Sequence, residues 1–394
     1  MKTLLVIFGI TGDLSSRKLL PALSNIITED PSQELSIVGV SRREVNVEQL
    51  VLDATGNQAL AERTSLYTMD LAQVGEYQGL KQALKEHNAD QTLMYLAVPP
   101  GAAAQIVDLL GEAGINSPDV RLLFEKPFGY DLASAQDFLG RTAEYFTEDQ
   151  IYRIDHYAAK EIAIELLELR QNAENHHHHW GAQSVKAITV VATEAIGIEG
   201  RAQFYEQTGA LRDFVQGHLM QLLSLVLIQN PQVQDVPAQR LKALSLLGEV
   251  NPHKAARAQY EGYQAEANNP GSQTETFVAF ELFSADPAWK DVPIRLVTGK
   301  ALSEKRSYVS VEYTDGTSDI FDESHLTARD GHHLDAYERV LIEAIADRKE
   351  IFTSSPEVIR SWEILAPLQT NWSMDDKPLP IYKPGLDVTT LPFF

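Results

Sequence analysis

The sequence predicts two folds in succession: an α/β domain on a doubly wound parallel sheet, then an α+β domain with a mainly antiparallel sheet. Three observations support this. Strand and helix patterns alternate over residues 3–124, and a glycine-containing turn joins the first strand to the first helix. From about Val185 strand-like runs succeed one another without alternating helices. A chain of 394 residues with 44% hydrophobic content buries two cores and is too long for one ordinary domain. We divide it into residues 1–152 and 153–394.

The elements follow in order. Thr3 to Phe8 is a short apolar run, read as a fully buried strand. The turn Gly9-Ile10-Thr11-Gly12-Asp13-Leu14-Ser15 follows, then a helix from Arg17 to Ile27. Glycines at such a strand-to-helix turn let the backbone approach a pyrophosphate, whose charge the helix N-terminus favours. Ser15 replaces the third glycine of the usual fingerprint, and a tight turn without a ligand has the same residues. The next strand, Leu35 to Val40, ends in Ser41-Arg42-Arg43. An acidic residue there holds a ribose 2′-hydroxyl, whereas an arginine fork matches a 2′-phosphate, so the residues favour NADP over NAD. A solvated loop is the alternative for this arginine pair.

Beyond it we expect helices near Val47 to Ala54, Tyr77 to His87 and Ala102 to Leu110. Strands are expected near Ser65 to Thr68, Thr92 to Val98 and Arg121 to Phe124. Pro99-Pro100 and Lys126-Pro127 fall just past strand ends, where ligands sit in open α/β sheets. In the second half, Val185 to Thr193, Thr276 to Phe283, Ile294 to Thr298 and Ser307 to Tyr313 read as strands. One long apolar helix, Leu211 to Gln229, interrupts them, and Leu334 to Ala346 and Pro356 to Trp372 form a helical tail.

Composition narrows the function. A net charge of −22 argues against nucleic acid or an anionic membrane surface as a partner. The absence of cysteine excludes disulfides and thiolate metal sites. No stretch is long enough to span a membrane. The apolar N-terminus is explained as a first strand rather than a signal peptide, so a cytoplasmic protein is expected.

Against this acidic background the run Arg153-Ile154-Asp155-His156-Tyr157-Ala158-Ala159-Lys160-Glu161 concentrates a carboxylate, an imidazole, a phenol and an ammonium. That set suits an anionic, hydroxyl-rich substrate; a solvated helix start is the bland alternative.

Four motifs in order carry a family resemblance. Gly9-x-x-Gly12-Asp13-Leu14 with Arg17-Lys18-Leu19, Glu125-Lys126-Pro127-Phe128-Gly129, Arg153 to Tyr157 with Lys160-Glu161, and His218-Leu219-Met220-Gln221 resemble the glucose-6-phosphate dehydrogenase family. The similarity runs on to Pro378-Leu379-Pro380. It implies a Rossmann-like N-terminal domain and NADP-dependent oxidation of glucose 6-phosphate at C1. His218 then resembles the general base and Asp155 the carboxylate that orients it and stabilises its charged form. His156, Tyr157 and Lys160 resemble the phosphate grip, and Glu194 and Asp213 the hydroxyl-binding acids. Lys126 resembles a lysine between sugar and nicotinamide, followed by Pro127 as a candidate cis-proline. Lys300 and Lys305 match two further substrate-side lysines. For the cofactor the resemblance implies Gly9, Thr11, Gly12, Asp13, Leu14, Arg42, Ala97 and Lys126, with no metal.

The chain departs from the family in places. Ala158-Ala159 stand where Leu-Gly is usual; alanine favours helix and should keep Lys160 on the same face. Gly217 replaces an asparagine before His218, and Val297 an arginine near Lys300. The stretch from Tyr313 to Asp330 is shorter than in ordinary members, so sheet strands are expected to be missing there, which weakens the expectation of the family's sheet-mediated homodimer and of a second, structural nucleotide. His176 to His179 form an internal run, a poor preformed site on a helix and at most an adventitious metal trap on a loop. Two other readings stay open: the same chemistry on a different sugar phosphate, and a catalytically silent homologue acting as a regulatory or assembly partner. The intact Asp155, His218 and Lys160 speak against silence.

Overall fold

The computed structural model describes residues 1–172, 178–229, 236–322 and 334–391. Its contacts divide the chain into two compact units. The first holds Met1–Phe128, Ala135–Ala159 and His332–Ser355; the second holds Gly129–Ser134, Lys160–Gly331 and Pro356–Phe394.

The strands of the first unit are β1 (Thr3–Phe8), β2 (Leu35–Ser41), β3 (Thr64–Thr68), β4 (Gln91–Leu96), β5 (Val120–Glu125) and β6 (Ile151–Ile154). Those of the second are β7 (Val185–Thr193), β8 (Ala255–Tyr260), β9 (Phe277–Leu282), β10 (Ile294–Gly299), β11 (Arg306–Tyr313) and β12 (Ser318–Asp322). Two short strands close the count: β13 (Phe352–Thr353) in the first unit and β14 (Ile381–Tyr382) in the second.

The first sheet runs β13-β6-β5-β4-β1-β2-β3. All its pairs are parallel except β13 with β6. All six residues of β1 are buried, which is why its sequence reads as a continuous apolar run rather than an alternating one. The chain leaves β1 toward β2 and β3, then crosses to β4 on the opposite side. This places the topological switch point at the carboxyl ends of β1 and β4. The helix Leu20–Glu29 buries Leu20, Leu23, Ile26 and Ile27, one stripe at helical spacing.

A single cut after residue 152 does not describe these units. The segment ending at Ser355 returns to the first unit, where β13 pairs with β6 and the Gln91 side-chain Nε2 donates to the Ile345 carbonyl at 2.7 Å. Residues Arg153–Ala159 also stay in the first unit, because β6 is its sheet strand.

The second sheet runs β12-β11-β7-β10-β9-β8-β14. It is antiparallel except at β7–β10 and β8–β14. Strand β12 lies within the stretch expected to have lost its strands; residues 323–333 lie outside the described ones. Val297 is fully buried among Val191, Ala279 and Phe277 in the sheet core, so apolar packing stands where the family has an arginine.

The expected long helix from Leu211 is two pieces, with a separate helix just before them. Ala202–Ala210 breaks at Gly209 (φ 59°), Leu211–Leu219 winds in wide π-type turns, and Met220–Leu227 is α-helical. The break has a cause. A Cβ at Gly209 would lie 2.4 Å from a Glu275 carboxylate oxygen, and that carboxylate accepts from the Leu211 amide at 3.0 Å. The Ala210 amide donates to the Glu275 carbonyl at 2.9 Å. Glu275 thus satisfies amides that a helix start leaves open. No helix among the described residues is long and apolar enough to cross a membrane.

Candidate active site

In the first unit the expected residues gather at the carboxyl ends of parallel strands. Gly9, after β1, has φ 86°, and a Cβ there would lie 2.5 Å from the Ala97 carbonyl oxygen just past β4. Only glycine fits this position. The turn is closed by the Gly12 amide on the Gly9 carbonyl at 2.9 Å. Ser15, where a third glycine was missing, is fully buried and donates its hydroxyl to the same carbonyl at 2.9 Å. It ties the turn to the following helix rather than loosening it. Thr11 and Asp13 are exposed and Leu14 half-buried at this turn. Arg42 and Arg43 are exposed after β2, where the Ser41 hydroxyl accepts from the Arg43 amide at 3.1 Å.

At the ends of β5 and β6 stand Glu125-Lys126 and Asp155-His156-Tyr157. The Lys126–Pro127 bond is cis. Asp155 is 2% exposed, and one of its carboxylate oxygens accepts from the Tyr157 amide at 3.0 Å. The Ala158 amide donates to the Asp155 carbonyl at 2.9 Å, so residues 155–159 form a turn. Ala158-Ala159 therefore do not carry Lys160 on a helical face as expected. They are buried in the turn, and Lys160, extended at φ −72° and ψ 155°, is the residue that precedes the helix Glu161–Gln171.

Two groups of this unit carry no role that the sequence alone marks. Glu125 accepts a short hydrogen bond from the Tyr95 hydroxyl. Burial pushes its carboxyl up to about 7; the negative charge of Asp155 acts the same way, while Tyr95 and Lys126 oppose it. Tyr337, brought by the returning helix Ala336–Ile345, stacks on His156 with ring centroids 6.3 Å apart. Lys18 lies 5.9 Å from the same tyrosine ring and 3.6 Å from Asp335.

The second unit gathers a separate set. Glu194 follows β7 and Lys300 follows β10, the parallel pair, so both side chains leave the same end of the sheet. Leu302 N–H donates to the Glu194 carbonyl at 3.0 Å, and the Tyr382 hydroxyl donates to the Lys300 carbonyl at 2.6 Å. The Lys300 ammonium, 2% exposed, bonds the Glu194 carboxylate and lies 3.9 Å from Asp213. Asp213 and His218 both ride on the wide-turned segment. In an α-helix five residues turn about 500°, leaving side chains roughly 140° apart. A π-type turn stacks residue i over i+5. His218 is 5% exposed, with the Phe214 ring edge-to-face at 5.4 Å. Lys305 is exposed and forms no ion pair with Glu194 or Asp213 among the described residues.

Of the histidine run, His176 and His177 lie outside the described residues. His178 stacks on Tyr313 at 3.9 Å and pairs with Asp315 at 3.1 Å, a packing role.

Comparison with known proteins gives one consistent picture. Residues 6–164 match the family model "Glucose-6-phosphate dehydrogenase, NAD binding domain", and residues 167–330 match "Glucose-6-phosphate dehydrogenase, C-terminal domain". The glucose-6-phosphate 1-dehydrogenase of Dickeya dadantii is 30% identical over 460 aligned positions, covering 97% of this chain and 93% of that protein. The alignment is longer than the 394-residue chain, so that relative carries residues with no counterpart here. A solved glucose-6-phosphate dehydrogenase in complex with its substrate glucose 6-phosphate superimposes with a TM-score of 0.90 at 25% identity, over 98% of this chain and 95% of that one. The enzyme from Mycobacterium avium gives a TM-score of 0.83 at 29% identity over the same shares.

Proposed function

This chain belongs to the glucose-6-phosphate dehydrogenase family, and on that premise we propose that it oxidises glucose 6-phosphate at C1 to the 6-phospho-lactone with NADP. The observation that carries the reading is the second unit's buried Lys300, held by Glu194 after β7 and by Asp213, which shares its segment with His218. Carboxylates beside a fixed ammonium suit a hydroxyl-rich ring, whose hydroxyls both donate and accept.

The residues fit a dinucleotide. Gly9 lets the backbone after β1 pass against Ala97 where no Cβ would fit, and the turn's amides precede a helix. Gly9, Thr11, Gly12, Asp13, Leu14, Ala97 and Lys126 would hold it, with Arg42 on a 2′-phosphate. When bound, the nicotinamide supplies the hydride acceptor. His218 takes the C1 hydroxyl proton, and Asp155 is assigned the carboxylate that stabilises the resulting imidazolium. His156, Tyr157 and Lys160 grip the phosphate dianion, while Glu194, Asp213, Lys300 and Lys305 orient the ring.

The test is His218→Asn. The variant should fold and bind glucose 6-phosphate while kcat falls by about two to four orders of magnitude, the usual size of a lost general base. Turnover near that of the unaltered protein would remove His218 from the chemistry.

A further inference from the structure

We propose that Tyr205 and Phe214 form an aromatic slot that positions the Lys300 ammonium, and that Phe214 also sets the His218 imidazole. The proposal rests on the reading of Lys300 as a substrate-side residue and His218 as the base.

Lys300 Nζ lies 5.1 Å from the centroid of the Tyr205 ring and 5.5 Å from that of Phe214. Both separations are within the range in which a ring's quadrupole attracts a cation. The two carboxylates alone would leave the ammonium poorly fixed, because it is a compact charge on a flexible stem with no preferred plane. The two rings add contacts to the ammonium beside those of the carboxylates.

Tyr205 is built for this contact through its ring. It is 1% exposed, and its hydroxyl has no hydrogen-bond partner among the described residues. Its ring packs against Tyr263 at 6.1 Å, and Tyr263 is in turn tied by its hydroxyl to Glu206. A buried tyrosine usually finds a partner for its hydroxyl, so an unpartnered one points to the ring as the selected part.

Phe214 links two functional groups. It follows Asp213 directly, stands four residues before His218, and meets that imidazole with ring planes at 80°. Gly217, just before His218, offers no side chain to flank the imidazole. A change at Phe214 therefore reaches both the ammonium and the base, whereas a change at Tyr205 reaches the ammonium alone. That difference separates positioning from mere packing.

The experiment measures kcat and KM for glucose 6-phosphate in Tyr205→Leu, Tyr205→Phe, Phe214→Leu and Lys300→Met, with thermal melts confirming folding. Phe214→Met, close in volume and without an aromatic quadrupole, replaces Phe214→Leu should that variant not fold. Tyr205→Leu should raise KM about threefold to thirtyfold, the scale of a desolvated cation–π contact, with kcat maintained. Tyr205→Phe, which restores the ring, should reverse that rise. Phe214→Leu should raise KM and lower kcat together. If Lys300→Met raises KM but the leucine variants do not, or if Tyr205→Phe is as damaging as Tyr205→Leu, the slot is overturned while the functional reading stands. If Lys300→Met leaves KM unchanged, the substrate-side reading of Lys300 fails, and the slot with it.

Discussion

Glu125 gives the first unit a pH dependence that can be worked out residue by residue. Its carboxyl rises from an ordinary value of 4.5 to about 7 because burial opposes its charge. Facing it are Tyr95 on β4, Asp155 after β6, Lys126 beside it and Tyr337 on the returning helix. Between these two values the folded chain holds a proton that the unfolded chain has lost. The contribution is therefore fully present below 4.5 and is lost as pH rises through about 7. Thermal stability should fall from about pH 5 to pH 8 in the natural protein and fall less in Glu125→Gln. Parallel melting profiles would refute this. The sequence showed Glu125 as part of a motif but gave it no role, since neither its burial nor its tyrosine partner on another strand is written locally. Tyr205 and Phe214 are illegible in the sequence for the same reason: each acts by what its ring faces. Asp155, His156, Tyr157 and Lys160 were legible because four chemically different groups stand together in one run.

Among the elements, the buried strands were the most legible. β1 and β7 match their expected bounds, because every residue of β1 and all of β7 except Lys186 are buried, which leaves mostly apolar runs. β8, with Arg257 and Gln259, and β12, with Asp319 and Asp322, carry too much polarity for that signal. The wide turns of Leu211–Leu219 were also invisible, since apolar spacing does not separate a π-type turn from an α-turn over nine residues. At the end of β2, the exposed Arg42 carries the proposed choice of coenzyme. Arg42→Ala should weaken NADP by about tenfold or more, the size of one charge-assisted contact, and leave NAD nearly unaffected. Measured dissociation constants that rise equally for both coenzymes would make the arginine structural.

For the whole molecule, the sequence showed two folds in the right order but not how the chain is shared between them. Glu338 on the returning helix bonds Asn25, 313 positions earlier, and β13 adds an antiparallel edge to a sheet otherwise made of residues 3–154. Such a return depends on long-range pairing, which local pattern does not encode. Whether this dehydrogenase recognises a sugar phosphate is read from its substrate choice. Purified protein is given NADP with either glucose 6-phosphate or glucose, and the absorbance of reduced nicotinamide is followed. The phosphate grip assigned to His156, Tyr157 and Lys160 predicts a kcat/KM for glucose 6-phosphate higher by about a hundredfold or more, since the neutral sugar lacks those charge-assisted bonds. Comparable values for the two sugars, or no reduction with either, would contradict it.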